Sequence, residues 1–144
     1  ICTGNTCRSP MAEGIFNKLA KDNNMNIISS SAGLWAADGM RVSEHSKEAV
    51  EIYDVDISDY TSKPLTIEEV AEADLILTMT ECHKEQLVEA LNDDSDKIFT
   101  LKEYVYGSED KNIIDPFGRD LDTYKQTSNE IYTAIKVLLE KIKK

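Results

Sequence analysis

Cys2-Thr3-Gly4-Asn5-Thr6-Cys7-Arg8-Ser9-Pro10 places a thiol, an arginine and a hydroxyl side chain within one short stretch. That order suits chemistry on a phosphoryl group. A thiol attacks as its thiolate, and a helix N-terminus with an arginine beside it favours ionisation. The residues between Cys2 and Arg8 let the backbone curl around one tetrahedral anion with successive N–H groups aimed inward. Gly4 permits dihedrals that other residues resist, and Asn5 tolerates the left-handed region while its side chain braces the loop. Arg8 brings a planar, permanently charged fork that matches two phosphate oxygens. Ser9 is placed to hydrogen-bond the sulfur and steady it as a leaving group. Taken alone, Cys2 reads equally well as an inert buried thiol. The whole string, followed by an amphipathic helix, favours nucleophilic attack through a cysteinyl-phosphate intermediate.

Expelling the leaving group from phosphorus calls for a proton donor, and positioned acid–base help is worth typically ~10²–10⁴-fold. Ile113-Ile114-Asp115-Pro116-Phe117-Gly118 puts a carboxylate in a proline-stiffened loop before the last helix. Asp-Pro is also a common turn pair, and the Cys2–Arg8 loop is what tips Asp115 toward the acid role. The same carboxylate would then deprotonate the hydrolytic water.

Through these residues, and through Met11-Ala12-Glu13, Ser31-Ala32-Gly33 and Asp115-Pro116, the sequence resembles the low-molecular-weight protein tyrosine phosphatase family. The resemblance spans most of the chain. It implies an α/β fold, a four-stranded parallel sheet flanked by helices on both faces, with the loop joining the first strand to the first helix. It implies Cys2 as nucleophile, Arg8 as phosphate clamp and Asp115 as general acid. Thr3, Gly4, Asn5, Thr6, Cys7 and Ser9 would line the phosphate.

Tyrosine-directed members of that family usually carry a bulky aliphatic residue at the Thr6 position and often two adjacent tyrosines after Asp-Pro. Here those places hold Thr6 and Phe117-Gly118. Together with Phe99-Thr100-Leu101-Lys102-Glu103-Tyr104-Val105 and Tyr124-Lys125-Gln126-Thr127, they are similar to the bacterial protein-arginine-phosphatase branch. The implied partners are proteins phosphorylated on arginine, with phosphotyrosine as the alternative and inorganic phosphate as product. The chemistry agrees. A phosphoarginine guanidinium wants a carboxylate at the mouth, which Asp115 supplies, and a small polar contact, which Thr6 supplies. Trp35 and Phe117 are candidate walls for stacking on the guanidinium, although an aromatic side chain serves as readily in a core.

Two other readings compete. Arsenate reduction on the same fold needs further cysteines to relay the oxidation, and Cys82 stands alone in Thr80-Glu81-Cys82-His83-Lys84. A phosphate-binding module without turnover would have no use for a proton donor. Cys7 either pairs with Cys2 under oxidants or packs beneath the loop, and the residues leave both open. Cys82 and the two histidines, His45 and His83, read as structural or surface positions.

The bulk composition permits this chemistry. A length of 144 residues suits one domain, residues 1–144, of ordinary size. Apolar content of 41% and charged content of 30% are those of a soluble globular protein. No run approaches the roughly 18–20 apolar residues of a membrane span. A net charge of −11 argues against nucleic acid, which needs a clustered basic surface. Three cysteines, spaced without a framework, do not suggest a disulfide-rich secreted protein, and the histidines share no metal-ligand spacing with them. No signal peptide, cofactor or metal is expected, and the location is read as cytoplasmic. The chain opens on Ile1, so several apolar residues of a first strand are expected before it.

The elements that must position the site follow from periodicity. Ser9-Pro10 reads as cap and first helical residue, opening an amphipathic helix from Pro10 to about Lys21. Residues 26–31 read as a short strand, residues 43–53 as a helix, and Thr66–Glu69 as the capped start of another. Leu75–Met79 and Lys97–Leu101 read as buried parallel strands, with a helix over Glu81–Leu91 between them. In the last 20 or so residues Tyr124, Ser128, Ile131, Ile135, Leu138 and Ile142 advance by threes and fours, a helix with lysines crowding its end.

Overall fold

Two parallel strands carry the centre of the fold in the computed structural model, which describes residues 1–91, 95–107 and 111–143. β1 (Ile76–Thr78) pairs with β2 (Ile98–Thr100) in the register Ile76 to Ile98, Leu77 to Phe99 and Thr78 to Thr100. Both are short and rich in β-branched residues, as strands covered on two faces tend to be.

Among the described residues six helices surround them: α1 (Arg8–Asp22), α2 (Glu44–Val50), α3 (Ile67–Glu72), α4 (Glu81–Leu91), α5 (Leu101–Tyr106) and α6 (Leu121–Lys143). A 3₁₀ turn, Glu51–Tyr53, extends α2, and another, Ser95–Lys97, leads into β2. On one face of the strands, Ile76 and Ile98 meet Val70 of α3 and Leu87 of α4. On the other, Leu77 packs against a larger core built from α1, α2, α5 and α6, including Met11, Ile15, Val50, Val105, Ile131 and Ile135. The α/β expectation with helices on both faces therefore holds. Burying each such aliphatic side chain contributes about 1.5–3 kcal/mol.

Among the described residues the expected four strands do not form as four. Two are regular, and the sheet is continued by single bridges, Cys2 to Gly33 and Gly33 to Pro64, both parallel. Met79 donates to the Ile1 carbonyl at 3.0 Å, Leu34 to the Cys2 carbonyl at 3.0 Å, and Leu65 to the Gly33 carbonyl at 3.2 Å.

Residues 26–31 likewise form no regular strand. The side chain of Asn17 takes the place of a strand partner for Ser29, donating to its carbonyl at 3.1 Å and accepting its N–H at 2.8 Å. Ile28 consequently points to solvent.

Helix starts mostly follow the sequence. Ser43 caps α2 by accepting from Ser46 N–H, and Thr66 caps α3 by accepting from Glu69 N–H. α4 matches its expected span. α5 was not expected, yet Thr100 and Glu103 form a complete capping box at its start. The cap of α1 is Cys7 and not Ser9, so the helix begins two residues before Pro10. In α6 the expected residues Tyr124, Ser128, Ile131, Ile135 and Leu138 are all buried and Ile142 is half-buried. Lys144 lies outside the described residues. Among the described residues, no helix is long and apolar enough to cross a membrane.

Candidate active site

The Cys2–Arg8 loop leaves the sheet at Cys2 and closes at the N-terminus of α1. Cys2 is buried, held between the Gly33 segment and the end of β1 by the bridges above. Its sulfur lies 2.9 Å from Ser9 Oγ and accepts from the Asn5 backbone N–H at 3.3 Å. The left-handed residue of the loop is Asn5, with φ 57°, and not Gly4. Asn5 is buried and fully engaged. Its Nδ2 donates to Ser9 Oγ at 2.8 Å and to Ser31 Oγ at 2.9 Å, and its Oδ1 accepts the Lys63 N–H at 3.1 Å. Ser31 passes its own proton to Glu13 Oε1 at 2.6 Å.

Gly33 must be glycine for this arrangement to exist. A Cβ there would stand 2.5 Å from the Thr3 carbonyl oxygen and 3.0 Å from the Asn5 nitrogen. Both are backbone atoms, so neither can swing aside.

Arg8 is buried at the start of α1, donates from Nη1 to the Ile113 carbonyl at 2.9 Å and faces Asp115 Oδ2 with Nη2 at 3.6 Å. Ile113 is itself pinned to the end of β1, its N–H donating to the Met79 carbonyl at 2.8 Å. The Asp115 side chain is about half exposed, at 53%, and its Oδ1 accepts the Phe117 N–H at 3.0 Å. A buried cation and an accessible carboxylate thus stand together at the loop.

Thr6 is half-buried, with its carbonyl accepting the Ser43 N–H at 3.0 Å. Cys7 packs beneath the loop, its sulfur 3.8 Å from Ser43 Oγ and 3.5 Å from the Tyr124 hydroxyl. Burial, and then the Cys7 thiol, push the Tyr124 phenol up to about 12, so it stays protonated. Cys2, Cys7 and Cys82 are all free thiols. Trp35 and Phe117 are 77% and 73% exposed, so neither is a core residue. The Trp35 backbone N–H donates to the Thr3 carbonyl at 3.0 Å, and its indole donates to Gln86 Oε1 at 3.2 Å. Among the described residues, no group of three or more His, Cys, Asp or Glu could hold a metal ion.

The whole chain, residues 1–144, matches the family described as low molecular weight phosphotyrosine protein phosphatase. The chain belongs to that family. It is 41% identical to the protein-arginine-phosphatase of Bacillus subtilis over 100% of this chain and 95% of the relative. It is 44% identical to the low molecular weight protein-tyrosine-phosphatase PtpB of Staphylococcus haemolyticus over 91% of this chain and 88% of the relative. A solved structure of the YwlE arginine phosphatase, a mutant with a phosphorylated active-site serine, superposes with TM-score 0.95 at 40% identity. That likeness covers 99% of this chain and 93% of the other.

His83 is a further side chain at the loop, one that sequence reasoning did not place there. It was read as structural or surface, yet it is 6% exposed and stands 2.8 Å from the side chain of Thr3 in the loop. Its other ring nitrogen lies 3.0 Å from Thr80 Oγ1. Burial, and then the charge of Arg8, lower its pKa from 6.5 to about 4. The available signal was Thr80, three residues before His83, capping the helix that follows β1. His45, in contrast, is exposed and rests edge-on against Tyr124.

Proposed function

We propose that the chain is a cysteine-dependent protein phosphatase that hydrolyses phosphoarginine on proteins through a cysteinyl-phosphate intermediate. The observation that carries this is the Cys2 sulfur, with Ser9 Oγ at 2.9 Å and the Asn5 N–H at 3.3 Å. Binding of an anion alone would not require a nucleophile so arranged.

In the first step the Cys2 thiolate attacks phosphorus and the P–N bond breaks. Asp115, as the acid, gives its proton to the departing guanidine nitrogen. The loop N–H groups of residues 3–8 and the Arg8 fork hold the phosphoryl oxygens as charge shifts onto them. The first-turn N–H groups of α1 add the positive end of a helix dipole. In the second step the Asp115 carboxylate takes a proton from water, the water oxygen bonds to phosphorus, and the P–S bond breaks. Ser9 Oγ donates to the sulfur as negative charge returns to it. Inorganic phosphate leaves.

The arginine preference rests on Thr6, a small polar residue beside the phosphate, and on the named activity of the Bacillus subtilis relative. Trp35 and Phe117 are read as walls for the flat guanidinium because their exposed rings leave faces for stacking. A second reading, phosphotyrosine hydrolysis by the same residues, is favoured by the named activity of the Staphylococcus haemolyticus relative. The three free thiols and the need for a reduced Cys2 support a reducing, cytoplasmic compartment.

The deciding test compares hydrolysis of phosphoarginine and phosphotyrosine peptides by the native protein and Thr6→Ile, with Cys2→Ser as blank. Preference for phosphoarginine that shifts toward phosphotyrosine in Thr6→Ile is the expected result. Native preference for phosphotyrosine would leave a tyrosine phosphatase with Thr6 as a bystander.

A further inference from the structure

We propose that His83 is a positioning residue of the phosphate-binding loop, donating from Nε2–H to Thr3 Oγ1 and so fixing the peptide between Thr3 and Gly4. The proposal rests on reading Cys2–Arg8 as the phosphoryl cradle.

The Thr3–Gly4 peptide follows the nucleophile directly, and its N–H belongs to Gly4. On either side the chain is secured, at Cys2 by the bridge to Gly33 and at Asn5 by three side-chain hydrogen bonds. The peptide between is backed by Gly33 at its Thr3 carbonyl but is open on its Gly4 side. Thr3 is exposed, and a Cβ added at Gly4 would meet nothing nearer than Thr6 Oγ1 at 3.8 Å. Glycine also gives this peptide more rotational freedom than any other residue would. Two hydrogen bonds orient it further: the Trp35 N–H to the Thr3 carbonyl at 3.0 Å, and His83 Nε2 with Thr3 Oγ1 at 2.8 Å.

The His83 ring is itself well anchored. Thr80 Oγ1 accepts the His83 backbone N–H at 3.2 Å and lies 3.0 Å from Nδ1. The Thr80 carbonyl is held by Thr78 Oγ1 at 2.9 Å, at the end of β1. In the assigned arrangement the Thr80 hydroxyl, whose oxygen accepts the backbone N–H, donates its proton to Nδ1. The ring proton then sits on Nε2 and points at Thr3. Thr3 Oγ1 accepts it, which leaves the Thr3 hydroxyl proton free to be donated within the cradle. Burial and the neighbouring Arg8 charge keep the ring neutral, as this assignment requires. The outcome is a rigid line from β1, through Thr80 and His83, to the first peptide after the nucleophile. An enzyme that binds by aligned N–H donors depends on such support, because donors out of line lose both affinity and transition-state stabilisation.

The experiment uses the full chain and four variants: His83→Gln, which can still present a donor toward Thr3, His83→Asn, which reaches only Thr80, His83→Phe, and Thr3→Val. Expected is a roughly fivefold to tenfold loss in kcat/KM, the worth of one oriented hydrogen bond, in His83→Asn and His83→Phe. Competitive inhibition by inorganic phosphate should weaken in parallel, and His83→Gln should recover most of the loss. In the Thr3→Val background, His83→Phe should cost nothing further. A full additional loss there would show that His83 acts elsewhere and overturn the proposal, as would equal activity of the Asn and Gln variants.

Nitrogen-15 NMR of the native protein supplies a reading that mere structural support would not move. A pyrrole-like Nε2 and pyridine-like Nδ1 at His83 are expected, and the opposite tautomer would sink the assignment even if every variant were unstable. A native protein with no turnover on either phosphopeptide would instead overturn the phosphatase reading. Phosphate-induced shifts at the Gly4 amide, lost in His83→Phe, would then uphold the positioning role, and unchanged shifts would end it.

Discussion

Asn5 Nδ2 donates to Ser9 Oγ across 2.8 Å, and that same hydroxyl oxygen stands 2.9 Å from the sulfur of Cys2. Asn5 occupies one acceptor position on Ser9 and leaves the serine proton able to reach the Cys2 sulfur. The other amide proton of Asn5 goes to Ser31, and its carbonyl is tied to Lys63. Asn5, beside the Cys2 sulfur, is therefore anchored to three separate parts of the chain. That anchoring is bought with a left-handed backbone at a residue other than glycine.

Replacing Asn5 by Ala removes these bonds and keeps the unfavourable dihedral. Stranding buried polar groups costs about 1–3 kcal/mol, and a left-handed alanine about 1–2 kcal/mol more. We expect urea denaturation of Asn5→Ala to show a loss of about 3 kcal/mol. Asn5→Gly should recover the backbone share alone. Native-like stability in the Ala variant would mean that the network does not hold the loop.

Ser9→Ala should slow the second chemical step more than the first. A hydrogen bond to a charged group is worth about 1.5–3 kcal/mol, which corresponds to roughly 10- to 100-fold in rate. Rapid-quench measurements should then find phosphoenzyme accumulating in Ser9→Ala. A slowed burst with no accumulation would place the serine in the attack step.

Asp115→Asn retains an acceptor for the Phe117 N–H but cannot donate or accept the catalytic proton. Turnover should fall by about 10²–10⁴-fold, the usual worth of positioned acid–base help. Steady-state kinetics with substrates of graded leaving-group basicity checks this, since the deficit should grow with basicity. A deficit that stays constant across the series would remove Asp115 from proton transfer.

His83 makes stability depend on pH. Its folded pKa of about 4 lies below the ordinary 6.5, so the unfolded chain binds more protons between those values. Its contribution is complete above about pH 6.5 and is lost as pH falls toward about 4. Thermal melts of native protein and His83→Gln across that window should show the native protein losing more stability on acidification. Parallel curves would show that the histidine is not held neutral.

Gly33→Ala tests the close approach behind the loop. The added methyl would lie 2.5 Å from the Thr3 carbonyl oxygen, and overpacking of this kind costs about 1–3 kcal/mol. We expect a lowered urea midpoint together with weaker phosphate inhibition, because the obstruction pushes on the Thr3 backbone itself. A stability loss with intact phosphate inhibition would confine the effect to packing.

The local signals in the sequence were strong where one short segment carried all of its own chemistry. The spacing of Cys2, Arg8 and Ser9 describes a loop whose parts are neighbours along the chain, so folding had little freedom to separate them. The α6 stripe and the cap Thr66 were legible for the same reason, since helix periodicity and capping act within a few residues. The capping box of Thr100 and Glu103 was equally local, but it sat inside a segment read as strand up to Leu101.

What only the tertiary structure decided involves partners far apart in sequence. The strand expected over residues 26–31 fails because Asn17, on α1, takes the backbone groups of Ser29. Nothing in the spacing of Asn17 and Ser29 announces that contact. Likewise, His83 reaches Thr3 across the sheet, and Asp115 meets Arg8 only because Ile113 is pinned to the end of β1. Residue types and short spacings determined which chemistry the chain can attempt. The fold determined which distant side chains aim it, because a hydrogen bond depends on angstrom-scale placement that sequence separation does not encode.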